Sequence, residues 1–276
     1  MEQVLKTMLE NVRAKSPLVH NITNYVTVND VANVLLAAGG SPIMSDDADD
    51  VEDITSICGG LNINIGTLNK NTIPSMFLAG KKANALGHIV LLDPVGAGAS
   101  RLRTDTANRL MREVRFDAVR GNISEIKTLC TGSGSTKGVD ADAVDAVTEA
   151  NLGDGVALVK AFAKQTGCII AVTGAIDLVS DGERCWCIRN GRAEMSRITG
   201  TGCQLSALMT AFLVANPDRK LDAAAAAVCM MGLAGEIGWA NMQPGDGNST
   251  YRNRIIDAIF NMTGDALEEG AKYELR

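Results

Sequence analysis

The segment from His88 to Pro94 reads His-Ile-Val-Leu-Leu-Asp-Pro, and it is the clearest single indication of the fold. Its apolar run is too short for a typical helix and lacks the alternation of a half-exposed strand, so it predicts a strand buried on both faces. The Asp-Pro pair ends that strand. Two other short apolar segments also predict buried strands that end at a turn. They are Phe116 to Val119, which precedes Gly121-Asn122, and Cys168 to Val172, which precedes Thr173-Gly174.

Between these strands the apolar residues follow the spacing that is typical of amphipathic helices. A further short strand is predicted over 61–65, and an antiparallel edge hairpin around 185–188, where Asp181-Gly182 and Asn190-Gly191 form the turns. Helices are predicted over 31–38, 73–86, 106–114, 154–165, 202–215 and 221–240, and from 253 onward. Buried strands separated by amphipathic helices are typical of an α/β protein with a largely parallel sheet covered by helices on both faces.

The length of 276 residues, with 46% apolar and 21% charged residues, fits one compact α/β domain spanning 1–276. The net charge of −6 argues against nucleic-acid binding, which needs a basic surface.

The apolar run 223–235 is short for a membrane span and predicts a buried helix, so we expect no membrane partner. Seven cysteines without a signal peptide predict free thiols and a cytoplasmic protein. The stretch 131–138 is a candidate mobile surface loop.

Polar residues follow directly after the apolar strands. Asp93, Arg120 and Thr173 each come at the end of one of them. Ligands of parallel sheets bind outside the carboxyl ends of the strands, where these ends share one edge. The sequence therefore predicts that distant segments meet in one cleft.

Several common motifs of catalysis are missing from the sequence. It contains no GxxxxGK[ST] phosphate loop, no complete GxGxxG after a strand, no HExxH and no GxSxG. Two histidines cannot build a His-rich metal site, and His88 at the start of a buried strand favours a structural role. Cys185-Trp186-Cys187 has a metal-like spacing, but a single CxC more often marks alternation along a strand.

The segment from Thr199 to Ala207 reads Thr-Gly-Thr-Gly-Cys-Gln-Leu-Ser-Ala and opens a long apolar helix. The unpaired N–H groups of a first helical turn, together with the helix dipole, form an anion site suited to phosphate. Cys203 lies in that turn, where the same field is expected to lower the pKa of its thiol. The alternatives are a plain glycine-rich helix start and a small packing residue.

Arg120-Gly121-Asn122-Ile123-Ser124-Glu125 adds charge to the predicted cleft. Asn122 and Glu125 are three residues apart and can face the same side of a helix start, an arrangement that suits a water-rich Mg²⁺ site. Arg120 could hold phosphate oxygens. The alternative is a capping box formed by the same two residues. Together with Asp93, these groups are the parts that phosphoryl transfer uses.

In these and other segments the sequence resembles the hydroxyethylthiazole kinases, the thiamine-salvage family of the ribokinase-like superfamily. The resemblance is collinear over nearly the whole chain. Six segments carry it: 16–24 (SPLVHNITN), 40–45 (GSPIMS), 93–98 (DPVGAG), 120–126 (RGNISEI), 172–175 (VTGA) and 200–207 (GTGCQLSA). It implies a ribokinase-like fold without a separate lid domain. Cys203 stands where related sugar kinases have a catalytic Asp, which separates the two groups.

The resemblance also implies an activity and residue roles. The γ-phosphoryl group of ATP would pass to the primary alcohol of 4-methyl-5-(2-hydroxyethyl)thiazole. The implied roles are Cys203 as catalytic base, Met44, Gly200 and Asn24 in substrate binding, Arg120 and Thr173 in ATP binding, and Asp93 and Glu125 in Mg²⁺ binding, directly or through water. The family is expected to form a homotrimer with sites at subunit interfaces.

Three alternatives to a hydroxyethylthiazole kinase activity remain open. One is a kinase of another small alcohol such as hydroxymethylpyrimidine, and another is an ATP-dependent dehydratase of the same superfamily. Both would be expected to have Asp at position 203, where this sequence has Cys203. The third is a non-catalytic protein that binds nucleotide or thiazole.

Overall fold

The computed structural model describes residues 3–131 and 146–276, and the strands in these residues form one nine-stranded sheet between two layers of helices. The strands are β1 (Leu18–Ile22), β2 (Ser41–Met44), β3 (Gly60–Asn64), β4 (Ile89–Asp93), β5 (Ala118–Asn122), β6 (Ile169–Thr173), β7 (Asp177–Ser180), β8 (Cys185–Ile188) and β9 (Tyr273–Leu275). The helices are α1 (Val4–Lys15), α2 (Val28–Ala38), α3 (Val51–Ile57), α4 (Thr72–Leu86), α5 (Arg101–Glu113), α6 (Ile123–Thr131), α7 (Leu152–Thr166), α8 (Thr201–Ala215), α9 (Lys220–Ala240), α10 (Asn248–Asn261) and α11 (Gly264–Gly270).

The sheet is largely parallel, as predicted. Its strand order is β2-β1-β3-β4-β5-β6-β7-β8-β9, and the pairs from β2 to β6 are parallel, whereas those from β6 to β9 are antiparallel. The register pairs Asn64 with Asp93 and Asn122 with Thr173. The ends of β3, β4, β5 and β6 therefore lie along one edge.

Two apolar cores lie on the two faces of the sheet. Neighbouring strand residues alternate between them, so that Leu91 enters the core under α1 and α8–α11, while Leu92 enters the core under α3–α7. This alternation explains why β4 is apolar from Ile89 to Leu92. The α/β prediction with both faces covered is confirmed. The single-domain organisation stays a prediction.

Helix α9 is the long apolar helix expected around 223–235. By length and composition the stretch Pro217–Ala240 could cross a membrane, and it is the one such helix among the described residues. However, 78% of its most apolar window is buried inside the protein. It packs on β6, β7 and β8 on one side and on α8 and α10 on others, which accounts for an apolar surface all round.

The C-terminal prediction was wrong in one respect. The chain from 253 onward was expected to be helical, but Tyr273–Leu275 is strand β9 and pairs with β8, so β8 is not an edge strand. Backbone hydrogen bonds between Cys185 and Arg276 extend this pairing, and the Tyr273 ring lies 4.3 Å from that of Trp186. These long-range contacts have no periodic signal in so short a segment.

Other differences concern the N-terminal quarter and one loop. Helix α1 and strands β1 and β2 had not been predicted, because β1 contains His20 and Asn21 and β2 is a half-buried edge strand containing Pro42. Of the loop predicted over 131–138, Thr131 ends α6 and the rest lies outside the described residues.

Candidate active site

The predicted cleft residues meet at the carboxyl edge of the parallel strands. Asp93 is the last residue of β4 and Thr173 the last of β6. Arg120 was expected after its strand but lies within β5, because the backbone of 120–122 continues to pair with β6 beyond the predicted end. Its guanidinium still reaches the edge, where Nη2 donates to Thr173 Oγ1 at 2.5 Å and Nη1 lies 3.6 Å from Asp93 Oδ2.

Asp93 is a fully buried carboxyl group with two unlike oxygens. Oδ2 accepts hydrogen bonds from Ser206 Oγ at 2.7 Å and Asn64 Nδ2 at 2.8 Å. Oδ1 is buried and has no hydrogen-bond partner among the described residues. Burial raises the pKa of Asp93, and the charge of Arg120 together with these hydrogen bonds opposes that rise. An oxygen left without a partner in this way has room for one more donor or a cation.

The start of α8 brings two glycines into contact with site residues. Gly200 has φ +87°, and a Cβ there would lie 2.3 Å from Thr27 Cγ2. A Cβ on Gly202 would lie 2.5 Å from Arg120 Nη1. Arg120 Nε is buried without a partner in the described chain. The start of α8 and this guanidinium therefore lie next to each other, and both offer N–H donors of the kind that bind a phosphate group.

Cys203 lies in the first turn of α8 and is 8% exposed. Its Sγ accepts a hydrogen bond from Asn24 Nδ2 at 3.0 Å. The helix dipole was expected to lower the pKa of this thiol, but burial and the charge of Asp93 raise it, opposed by Arg120 and nearby side-chain hydrogen bonds. The expected lowering of the pKa is therefore not found, and Cys203 is not a readily ionised thiol in this state.

Both the oxygen and the NH₂ group of the Asn24 side chain form hydrogen bonds within the protein. Oδ1 accepts from the Thr27 backbone N–H at 3.1 Å and from Thr27 Oγ1 at 3.0 Å. Nδ2 donates to Cys203 Sγ and to Asn64 Oδ1, the latter at 3.3 Å. The predicted substrate contact from Asn24 therefore competes with hydrogen bonds already made.

Glu125 combines both interpretations of its sequence pattern. With Asn122 it closes the capping box, since each backbone N–H donates to the other's side chain at 2.8 Å. Its second oxygen accepts from the Gly96 backbone N–H at 2.7 Å, which ties the loop after Asp93 to α6. Burial, reinforced by the charge of Asp93, raises the pKa of Glu125 to about 7.

Met44 ends β2, the edge strand next to β1, and is half-buried. It packs against a small apolar cluster that includes Cys203, and the other members are Val19, Val31, Leu35, Ala207 and Ala211. Met44 and Cys203 thus border the same apolar surface, although 159 residues separate them in the sequence. This is the place where an apolar ring beside a reacting group could lie.

Four residues of the site were missed from the sequence. Thr27, Asn64 and Ser206 hold Asn24 and Asp93 in place, as described above. Asp177 opens β7 and accepts from the Gly174 N–H at 2.8 Å, and burial raises its pKa to about 7 while Arg120 opposes the rise. Asn64 ends β3 at the same edge as Asp93, but that strand was predicted to continue to Ile65.

A cation at this site would have few protein ligands. Residues 3–131 and 146–276 contain no group of three or more His, Cys, Asp or Glu side chains arranged to hold a metal ion. Mg²⁺ commonly binds through one or two carboxylates, with waters and substrate phosphates completing its shell. The unpartnered Asp93 Oδ1 fits that pattern.

Comparisons with known proteins relate this chain to hydroxyethylthiazole kinases. The profile of the hydroxyethylthiazole kinase family matches residues 9–265. Hydroxyethylthiazole kinases from Clostridium acetobutylicum and Ruminiclostridium cellulolyticum are 58% and 48% identical, covering 98% and 96% of this chain and 99% and 95% of theirs. A solved hydroxyethylthiazole kinase protein from Pyrococcus horikoshii is 32% identical, with a TM-score of 0.87 over 99% of this chain and 98% of that one. Staphylococcus aureus pyridoxal kinase with AMP-PCP and pyridoxal, at 15% identity and TM-score 0.60 over 94% and 98%, shares the fold.

Proposed function

This chain belongs to the hydroxyethylthiazole kinase family, and on that basis we propose that it transfers the γ-phosphoryl group of ATP to the primary alcohol of 4-methyl-5-(2-hydroxyethyl)thiazole. The product would feed thiamine salvage. The observation that carries the proposal is the placement of Cys203 in the first turn of α8, beside the Arg120 guanidinium and the apolar cluster that Met44 joins. An anion site, a reactive side chain and an apolar surface are then adjacent.

The phosphate end of ATP would lie at the start of α8. Arg120 supplies donors there, and Thr173 and Asp93 hold its guanidinium in position from two sides. The absence of a Cβ at Gly200 and Gly202 lets Thr27 and Arg120 lie against the start of α8, whose first-turn N–H groups would bind the phosphate. Because these donors are fixed before the reaction, they stabilise the developing charge without further reorganisation.

The alcohol would lie between Met44 and Cys203. The flexible thioether of Met44 suits a flat heteroaromatic ring, and Gly200 would border the hydroxyethyl chain. Cys203 would accept the alcohol proton as the bond to phosphorus forms. Its raised pKa means that the thiol form dominates at neutral pH, so the thiolate fraction would limit this assistance.

Asp93 and Glu125 would hold Mg²⁺, directly or through water. When bound, the cation would neutralise charge on the ATP phosphates. Asp93 Oδ1 is buried without a partner in the described residues, so it can take a ligand without giving up a hydrogen bond. Both Glu125 oxygens already accept backbone N–H groups, which favours contact through water.

We also propose a cytoplasmic homotrimer in which a neighbouring subunit completes each site. Seven free cysteines support a reducing compartment. Exposed apolar residues in the segments that precede and follow β2 along the chain support an interface, and they are Tyr25, Val26, Leu36 and Ile57. Tyr25 and Val26 directly follow Asn24 in the sequence, so an interface there would adjoin the substrate site.

Turnover of ATP with candidate alcohols tests the proposal. The thiazole alcohol should stimulate ADP formation and yield one phosphorylated product per ATP consumed, whereas hydroxymethylpyrimidine should give little product. Preferential phosphorylation of the pyrimidine would assign the other small-alcohol kinase activity. Binding of either compound without turnover would assign the non-catalytic alternative.

A further inference from the structure

A buried chain of hydrogen bonds joins Cys203 to Asp93 through two amide side chains. Asn24 Nδ2 donates to Cys203 Sγ at 3.0 Å and to Asn64 Oδ1 at 3.3 Å. Asn64 Nδ2 in turn donates to Asp93 Oδ2 at 2.8 Å. Asn24, Asn64 and Asp93 are 6%, 1% and 0% exposed, so water cannot readily replace these bonds.

Two backbone N–H groups fix the direction of the whole chain. The Thr27 N–H donates to Asn24 Oδ1, and the Gly66 N–H donates to Asn64 Oδ1 at 2.8 Å. A backbone N–H can only donate, so each of these side-chain atoms must be the oxygen. The NH₂ of Asn24 must then face Cys203, and that of Asn64 must face Asp93. The sulfur and the carboxylate both receive hydrogen bonds, and neither amide can be flipped without placing its NH₂ group against a backbone N–H.

The chain also makes the two Asp93 oxygens unlike each other. Asn64 and Ser206 both donate to Oδ2, while Oδ1 has no hydrogen-bond partner in the described parts of the chain. The hydrogen bonds of Asn64 thus affect both ends of the chain, the Cys203 sulfur and the Asp93 carboxylate. At one end it fixes the amide that contacts Cys203, and at the other it fixes which carboxylate oxygen is available.

We infer that Asn64 is a positioning residue for phosphoryl transfer, acting through Asn24 on the Cys203 sulfur and directly on the orientation of the Asp93 carboxylate. The inference rests on the proposed function for the step that Asn64 serves. It gives Asn64 no contact with either substrate. Loss of Asn64 should therefore slow the chemical step and leave substrate affinity nearly unchanged.

Asn62 supplies a matched control. It lies two residues earlier on β3, is 0% exposed, and donates from Nδ2 to Asn21 Oδ1 at 3.1 Å. Replacing either residue by Leu keeps most of the side-chain volume and removes buried amide hydrogen bonds. Among the described residues Asn64 makes three such hydrogen bonds and Asn62 makes one, so Asn64→Leu should lose more stability, and kcat is compared at a temperature at which both variants are folded. Asn64→Ala provides a second test if the Leu variant misfolds. Only loss of Asn64 should remove groups connected to the site.

The experiment measures steady-state kinetics and thiol reactivity on the same proteins. Asn64→Leu should lower kcat about 10²-fold, because misplacing a catalytic constellation by roughly 1 Å costs that much. Its KM values for ATP and thiazole alcohol should stay within threefold of wild type, and Asn62→Leu should keep kcat within threefold. Equal kcat losses in both variants, or a kcat near wild type in Asn64→Leu and Asn64→Ala, would overturn the inference.

Alkylation of Cys203 by iodoacetamide at pH 8, followed on its own peptide by mass spectrometry, needs no phosphoryl transfer. Without the oriented Asn24 donor the thiolate is less stabilised, so Asn64→Leu should react at least fivefold more slowly, and Asn62→Leu at the wild-type rate. An unchanged or faster rate in Asn64→Leu would contradict the positioning role. If wild type alkylates as expected but does not phosphorylate the thiazole alcohol, the proposed function fails and the hydrogen-bond chain stands.

Discussion

Asn122 and Glu125 bind each other reciprocally at the start of α6, with each backbone N–H donating to the partner's side chain at 2.8 Å. The same Glu125 carboxylate accepts the Gly96 N–H and lies within the influence of the Asp93 charge. One residue therefore has a capping role that serves stability and a charge that could serve Mg²⁺. These two roles can be separated, because Asn122 takes part in the cap but carries no charge.

Glu125→Gln should lower kcat about 10–100-fold, with partial recovery at raised Mg²⁺, as expected when a group that orients or tunes a metal site is lost. The melting temperature should also fall by a few degrees, because the new NH₂ must face a backbone N–H. Asn122→Ala removes the cap and keeps the charge. It should show a similar melting temperature and a much smaller loss of kcat. Equal kcat losses in the two variants would assign Glu125 to capping alone.

The stability of the ligand-free protein should depend on pH through the carboxyl groups of the buried Glu125 and the partly buried Asp177. Burial raises the pKa of both Glu125 and Asp177 to about 7. A raised acid pKa means that the folded state holds the proton more tightly, so this stability is complete below about pH 4.5 and is lost as pH rises through 7. The melting temperature should therefore fall between pH 5.5 and 8. Asp177→Asn should flatten this decline, and an unchanged slope would contradict the assignment.

Gly202→Ala should impair ATP binding specifically. The new Cβ would lie 2.5 Å from Arg120 Nη1, so the guanidinium must move away from Thr173 and the phosphate site. We expect KM for ATP to rise at least tenfold, with KM for the thiazole alcohol within about threefold. Gly153→Ala on α7 is the control, since its Cβ would meet nothing within 4 Å among the described residues. A normal KM for ATP in Gly202→Ala would argue against phosphate binding beside Arg120.

Met44→Ala should discriminate between the two substrates. Loss of the thioether removes an apolar contact worth about 1–3 kcal/mol, so KM for the thiazole alcohol should rise about 10-fold or more. KM for ATP should stay within about twofold, because Met44 joins the apolar cluster and not the Arg120 side of the site. Calorimetric titration of the thiazole alcohol onto the variant checks this directly. Equal damage to both constants would indicate a folding defect.

The sequence predicted those parts of the site that follow from strand ends and helix starts. Asp93 and Thr173 were found because each ends an apolar strand. Asn64 ends its strand too, but it was missed because that strand was predicted to run to Ile65, whereas β3 ends at Asn64. Because the predicted end of the strand was wrong by one residue, the position of Asn64 at the edge of the sheet was not recognised. Element boundaries depend on pairing with neighbouring strands, which no local pattern contains.

Tertiary contacts account for what no sequence rule could supply. Ser206 lies in an apolar helix, and nothing local indicates its hydrogen bond to Asp93, which is 113 residues away. The direction of the Cys203 pKa shift is a similar case. The helix start is local and visible in the sequence, whereas the burial that raises the pKa comes from tertiary packing, in which α8 lies against β1, β3 and β4.

Substitutions of Cys203 should show whether it is a base. Burial raises the pKa of its thiol, so thiolate is scarce at neutral pH and wild-type kcat should climb as pH increases. Cys203→Ala should slow turnover about 10²–10⁴-fold, the usual contribution of a general base, while ATP still binds at the Gly200 to Gly202 backbone. Cys203→Asp places a carboxylate beside the Asn24 donor and should remain active with a flatter alkaline limb. Profiles of kcat against pH for the three proteins decide the matter, because wild-type turnover by Cys203→Ala at every pH would leave catalysis to Arg120 and the helix start alone.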